Sequence, residues 1–428
     1  MKRYLRIEVM LLSLLSWIAA TTSAQQVSQV YSPSIHTIQL FPYGNQQGLP
    51  LIKMGSGDRL DLEFDDLDGN YKNYYYTFVL CDYNWKPSNL SAFDYIKGFT
   101  QNRIATYRYS NIAFKNYTHY QAFFPDANSS FTRSGNYLLK VYLDGDTSKT
   151  VFTRQFMVLD QKAVVTAEVV QPFTPQLFNT HQRVRFNVNV KDINSFSAAQ
   201  QVKAVVLQNN RWDMSMRDIA PTFVRGSMME YNSEAVGVFP GMREWRWLDL
   251  RSFRLLSDRV DSGKYDRFQA EFYLKPDKDR TADRYAYFAD LDGMYQITTY
   301  ESINPFWQGD YANVHFRYFN TDGKSFSDKD LYLTGAFTGY QYNNQSRLTY
   351  NPATGFYEQT LRLKQGYYNY AYVTKNKVGE TASLEGNYWE TENSYSVLIY
   401  YKAFNDRVDQ LIGVTVVNSR SDRPGFSF

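Results

Sequence analysis

Val184, Phe186, Val188 and Val190 alternate without a fault with Arg183, Arg185, Asn187, Asn189 and Lys191. A period of two puts the apolar side chains on one face and the polar ones on the other, which specifies a half-buried β-strand. The same period recurs at 366–373, 396–401 and 412–416. Residues 137–143 and 151–158 alternate on either side of Asp144-Gly145-Asp146, the pattern of a hairpin. The spacing predicts another strand over 77–81. Long amphipathic helices are not expected, and only short turns are read near 91–97.

Composition agrees with that reading. The 37 Tyr, 30 Phe and 7 Trp among 428 residues favour a pleated, half-buried surface. At 43% hydrophobic the chain is too apolar for a disordered protein, and 21% charged is too little for a coiled coil. A net charge of +3 gives no case for nucleic acid as a partner. The N-terminus resembles a secretory signal peptide: Lys2, Arg3 and Arg6, then an apolar run over 9–20, then Thr22-Ser23-Ala24 before Gln25. As a helix that run reaches about 18 Å, short of a roughly 30 Å hydrocarbon core, so no membrane span is expected from it. Cys81 is the only cysteine. It can form no internal disulfide and is read as a small buried hydrophobe.

Many short strands separated by Gly, Asn and Asp turns lead to an all-β fold of three tandem β-sandwiches after a cleaved signal peptide. The expected ranges are 1–24 for the signal, 25–160, 161–322 and 323–428. The last cut is placed at Asn320-Thr321-Asp322-Gly323-Lys324-Ser325. Such closely joined domains would form a semi-rigid rod or arc. An outer-membrane barrel is disfavoured, because Pro424 and Gly425 interrupt what would be its closing strand.

Chemistry-bearing patterns are sparse. His36, His119, His181 and His315 are scattered and none has metal-ligand spacing, so neither a metal site nor another cofactor is expected. No nucleophile elbow, phosphate-cradling loop or Cys/His pair is present, and no catalytic residue is assigned. Asp65-Asp66-Leu67-Asp68-Gly69-Asn70 and Asp290-Leu291-Asp292-Gly293 resemble the start of a calcium loop but lack its closing Glu, and read as turns. Arg243, Trp245 and Trp247 are the candidate partner-binding residues, since Arg and Trp are enriched at interface hot spots. A core or edge-strand role is the alternative for the same segment. Tyr340, Tyr342 and Trp389 form the alternative candidate, a stacking platform for a glycan.

Several segments together resemble the plug protein family of the bacterial type IX secretion system. In the first expected domain they are Phe64-Asp65-Asp66-Leu67-Asp68, Asp82-Tyr83-Asn84-Trp85, Tyr117-Thr118-His119-Tyr120 and Ser134-Gly135-Asn136-Tyr137. In the second they are Gln208-Asn209-Asn210-Arg211-Trp212-Asp213, Arg243-Glu244-Trp245-Arg246 and Asp290-Leu291-Asp292-Gly293. The third domain resembles an early-set, glycogen-binding type of β-sandwich through residues 331–340, Gly355-Phe356-Tyr357 and 363–370. It departs at Tyr340, where starch-binding relatives carry Trp. The resemblance implies a non-enzymatic periplasmic protein that docks on the large outer-membrane translocon barrel and closes its periplasmic mouth. A secreted carbohydrate-binding protein is the alternative.

Overall fold

Strands whose two faces enter two different cores organise the chain. The computed structural model describes residues 28–193 and 197–422. The expected signal peptide over 1–24 and the terminal Pro424 and Gly425 lie outside the described residues. The fold is all β, and the helices among the described residues are single turns: Ala92–Asp94, Ala198–Gln201, Pro305–Gln308 and Ala336–Thr338. The perfect alternation at 183–191 is realised as strand His181–Asn189. The expected hairpin pairs Gly135–Leu143 with Thr150–Leu159. Its turn places both Asp144 and Gly145 at positive φ, as tight Asp-Gly hairpin turns require.

The N-terminal unit is a sandwich. One sheet runs Ile35–Pro42, Leu60–Asp66, Thr118–Phe124, Thr106–Tyr109; the other runs Leu51–Lys53, Thr150–Leu159, Gly135–Leu143, Tyr74–Cys81, Asn102–Arg103. Leu60, Leu62, Phe64, Phe78, Phe124 and Phe156 fill the space between them.

A second sandwich lies against it. Its outer sheet holds Val164–Val170, His181–Asn189, Met228–Tyr231 and Phe223–Arg225, with Val238–Pro240 alongside. Its inner sheet runs Arg211–Met216, Val202–Gln208, Ser394–Tyr401, Gln410–Asn418. Ala204, Val206, Val397 and Ile399 face the core of this sandwich. The intervening Val205, Leu207, Leu398 and Tyr400 face the other way, onto Cys81, Met157 and Leu159 of the first unit. Four sheets are thus stacked with three apolar layers between them. This is why the Val202–Gln208 and Ser394–Tyr401 strands read as near-continuous apolar runs.

The third unit is a ten-stranded sheet folded over one core of Leu248, Phe272, Val314, Phe316, Leu333 and Tyr370. Gly366–Asn376 pairs with Arg246–Asp249 on one side and with Lys329–Thr334 on the other. Tyr311–Tyr318 pairs with Phe356–Lys364.

These pairings correct the expected cut at 322/323. Strand Tyr311–Tyr318 and strand Phe356–Lys364 share a sheet across it, while the final hairpin Ser394–Asn418 returns to the sheet of Val202–Gln208. The ranges 161–322 and 323–428 are therefore interleaved. Turn chemistry at 320–325 marks where the chain reverses, but not which sheet the next strand joins. Nor is the shape a rod, because the first unit also touches the third: Gln46 donates to Ile297 O at 3.1 Å and accepts Ile297 N–H at 2.8 Å.

Candidate functional site

The residues expected to meet a partner are turned inward. The Arg243 guanidinium donates to the carbonyls of Arg280, Asp283 and Arg284 and lies 5.2 Å from the centre of the Tyr388 ring. Trp245 is buried, and its backbone N–H donates to Asp290 Oδ2 at 2.5 Å. Trp247 is half-buried and packs edge-on against Phe288 at 5.0 Å. Arg243 and Trp245 are therefore part of the seam between the second and third units, and the alternative core role describes them.

The glycan candidates do not gather into a platform. Tyr340 meets Trp245 edge-on at 6.2 Å, its ring covered by the Arg211 guanidinium at 4.4 Å and its hydroxyl donating to Gly293 O at 3.0 Å. Tyr342 packs on Tyr332. Trp389 is tied elsewhere, its carbonyl accepting from Gln182 and its N–H donating to Asn179 O. Residues from the two rival expectations, Trp245 and Tyr340, thus complete one internal contact with Arg211.

Each Asp-rich run contains a turn, the first of them directly after strand Leu60–Asp66. Asp66 accepts from the Tyr74 hydroxyl and Asp68 N–H and lies 2.8 Å from Lys72 Nζ. Asp290 Oδ1 accepts Asp292 N–H. Among the described residues no group of three or more His, Cys, Asp or Glu side chains is arranged to hold a metal ion.

A buried charge network went unseen in the sequence. His119 sits between two carboxylates, with Nδ1 2.8 Å from Asp65 Oδ1 and Nε2 2.6 Å from Glu63 Oε2. Asp65 Oδ2 also receives Lys364 Nζ at 2.6 Å and the Tyr311 hydroxyl at 2.5 Å. Burial pushes against charge here, yet Lys364 and His119 hold the Asp65 carboxyl below its ordinary range. Burial likewise opposes the His119 imidazolium, but Asp65 and Glu63 raise its pKa. Closed off from water, the cluster cannot receive a substrate and acts as a brace between the first and third units. The one sequence signal was the acidic face of Leu60–Asp66, where Asp61, Glu63 and Asp65 alternate with core residues and all seven positions are buried.

The exposed counterpart is a tip built by four loops, 110–115, 251–257, 265–269 and 299–304. Asp310 collects them: its carboxylate accepts the N–H groups of Phe114 and Lys115 and the Tyr265 hydroxyl. Gln365 links Asp310 N–H to the Glu301 carboxylate, which in turn accepts Ser252 Oγ–H and Phe253 N–H. Phe114 and Phe253 both pack on Tyr265, at 5.2 and 5.1 Å. From this scaffold Leu255, Phe268 and Ile303 project with 77%, 83% and 93% of their surface exposed. Ile112, Phe114 and Tyr300 on the same loops are exposed as well.

Residues 35–160 match the family model described as the first domain of the type 9 secretion system plug protein. Residues 35–160 belong to the type IX secretion system plug protein family. Membership carries a role in type IX secretion. The matched range ends one residue past strand Thr150–Leu159. The plug-family segment holds Glu63, Asp65 and His119, while Lys364, which completes the brace, lies beyond it. The crystal structure of a hypothetical protein from Parabacteroides merdae ATCC 43184 is similar over nearly the whole fold. Its TM-score is 0.86 at 30% identity, covering 91% of this chain and 98% of that one. No curated protein matches.

Proposed function

We propose that this plug-family protein is a non-enzymatic periplasmic stopper, docking on the outer-membrane translocon barrel and sealing its periplasmic mouth when no cargo passes. The family match over residues 35–160 carries the reading. The architecture is physically suited to it. A pore wide enough for folded proteins would leak small solutes, and a stopper must resist deformation across its width. Here the apolar layer of Cys81, Met157, Leu398 and Tyr400 joins the first unit to the second. The Asp65–Lys364 pair joins it to the third, and the Trp245–Tyr340 contact lies between the second and third. Interdomain contacts of this kind oppose the relative motion that separate modules would show.

Affinity purification of a tagged copy from gently solubilised outer membranes tests the proposal. Near-equal recovery of a very large barrel protein, together with solute leakage in a deletion strain, is the expected outcome. Recovery of the protein alone, under conditions that preserve other outer-membrane complexes, would overturn it.

A further inference from the structure

Glu244, Asp290, Asp292 and Glu392 meet at the seam between the second and third units, and among the described residues none of the four makes an ion pair. Asp290 accepts the N–H groups of Trp245 and Asp292. The Tyr285 hydroxyl donates to Glu244 Oε1 at 2.5 Å and the Tyr287 hydroxyl to Glu392 Oε2 at 3.1 Å. Glu244 is only 2% exposed, and its Oε2 is buried without a hydrogen-bond partner.

The cations that face the four are committed elsewhere. The Arg243 guanidinium is taken up by the carbonyls of Arg280, Asp283 and Arg284. Arg420 lies 3.7 Å from the centre of the Tyr287 ring, Arg211 pairs with Asp213, and both Arg246 and Arg280 pair with Glu385. Tyr340, Tyr367 and Tyr395 complete the surroundings with Tyr285 and Tyr287, all uncharged near neutrality, and exposed Glu390 adds negative charge beside Tyr285. Among the described residues the carboxylates are not arranged to hold a metal ion, which leaves protonation to relieve their repulsion. Burial first, and then the Glu244 and Glu392 charges, push the Asp290 carboxyl up to about 7 despite the N–H groups it accepts. Burial, followed by the Asp290 charge, holds Asp292 well above the ordinary carboxylate range.

Across this cluster runs a strap. Between strands Ala270–Leu274 and Tyr295–Ile297 the chain forms no helix or strand, an unusual length of irregular backbone for a compact fold. Residues 281–284, 286 and 287 of it are exposed, and Tyr285 and Tyr287 fasten it to Glu244 and Glu392. The strap therefore ends in two of the carboxyl groups and is fastened by the other two.

We propose that this strap is a proton-controlled latch on the seam: protonated, the carboxyl groups stay together and the strap lies closed; ionised, they repel one another and it lifts. Lifted into water, Asp290 and Asp292 return to ordinary values near 3.8, so closure is favoured at low pH and weakens as pH rises from about 4 through 7.

Amide hydrogen exchange of the whole mature protein, read as protection factors so that intrinsic rates cancel, tests it. The reporters are Trp245 and Asp292, whose N–H groups are bonded to Asp290 in the closed strap, and Leu291 and Gly293, whose N–H groups are bonded to Asn369. Protection at these amides should fall about tenfold between pH 5 and pH 8, while the paired strands Gly135–Leu143 and Thr150–Leu159 keep theirs. The D290N/D292N variant should lack the dependence. D292N alone should weaken it, and Asn tolerates the φ of +52° found at Asp292. Wild-type protection that does not change with pH would overturn the proposal, as would a dependence left intact in D292N. An equal loss in the paired strands would overturn it too, since the whole fold would then be loosening.

Discussion

Lys364 Nζ lies 2.6 Å from Asp65 Oδ2, with the two side chains only 0% and 1% exposed, and the pair spans 299 positions of the chain. A buried cation and a buried carboxylate tolerate burial only together, and removal of one strands the other. Lys364→Met should therefore destabilise the fold by about 3–5 kcal/mol in urea unfolding. Adding Asp65→Asn should recover part of that loss; a double variant no more stable than Lys364→Met alone would show that the pair is not what holds the units together. Because the Asp65 carboxyl is held below its usual range, its contribution is present above the unfolded value near 3.8 and is lost as pH falls through the folded one.

Asp61 behaves in the opposite sense. Burial, and then the neighbouring Glu63 charge, push its carboxyl up to about 7. The folded state then binds the proton more tightly than the unfolded state, so this group costs stability as pH rises from about 4 to 7. Asp61→Asn keeps an oxygen for Gln121 and should raise stability at pH 7 by about 2 kcal/mol, after discounting for partial solvent screening. The gain should vanish below about pH 4. Equal unfolding midpoints of the two proteins at pH 7 would contradict this account.

Gly293 and Trp245 are sterically coupled. A Cβ on Gly293 would stand 2.6 Å from Trp245 Cζ2, and the backbone there has φ +81°. Gly293→Ala should cost about 2–3 kcal/mol from overpacking and left-handed strain. Trp245→Ala should cost about 3–5 kcal/mol through the cavity it leaves. In the Trp245→Ala background, Gly293→Ala should cost only about 1 kcal/mol, the part due to φ. Simple additivity in a double-mutant cycle would refute the contact.

Cys81 should be inert in the folded protein. Burial first, and the adjacent Asp82 charge second, push its thiol up to about 12. Thiol titration at pH 8 should label the unfolded chain and leave the native protein unlabelled over the same interval. Rapid native labelling would mean that the apolar layer between the first two units opens readily.

Local pattern was legible in detail. The alternation at 183–191, the Asp144-Gly145 turn and the apolar character of Cys81 all correspond to what the structure contains, because each depends on residues close in sequence. Site assignment was less so. Arg243 and Trp245 were candidates because Arg and Trp favour interfaces, yet the same large, hydrogen-bonding side chains serve equally well in an internal seam. The tip gave no pattern at all, since its four loops come from distant segments and are gathered only by Asp310, Gln365 and Glu301.

By itself the sequence determined that this protein is built of β-strands, where the most regularly alternating of them lie, and which plug-family features it carries. Tertiary structure alone decided that the Ser394–Asn418 hairpin completes the second sandwich, that His119 lies between Glu63 and Asp65, and that Phe114 and Tyr265 meet at Asp310. The division has a physical cause. Side-chain periodicity is a property of neighbours along the chain, whereas strand partnership, burial of charge and convergence of loops depend on contacts made across hundreds of residues.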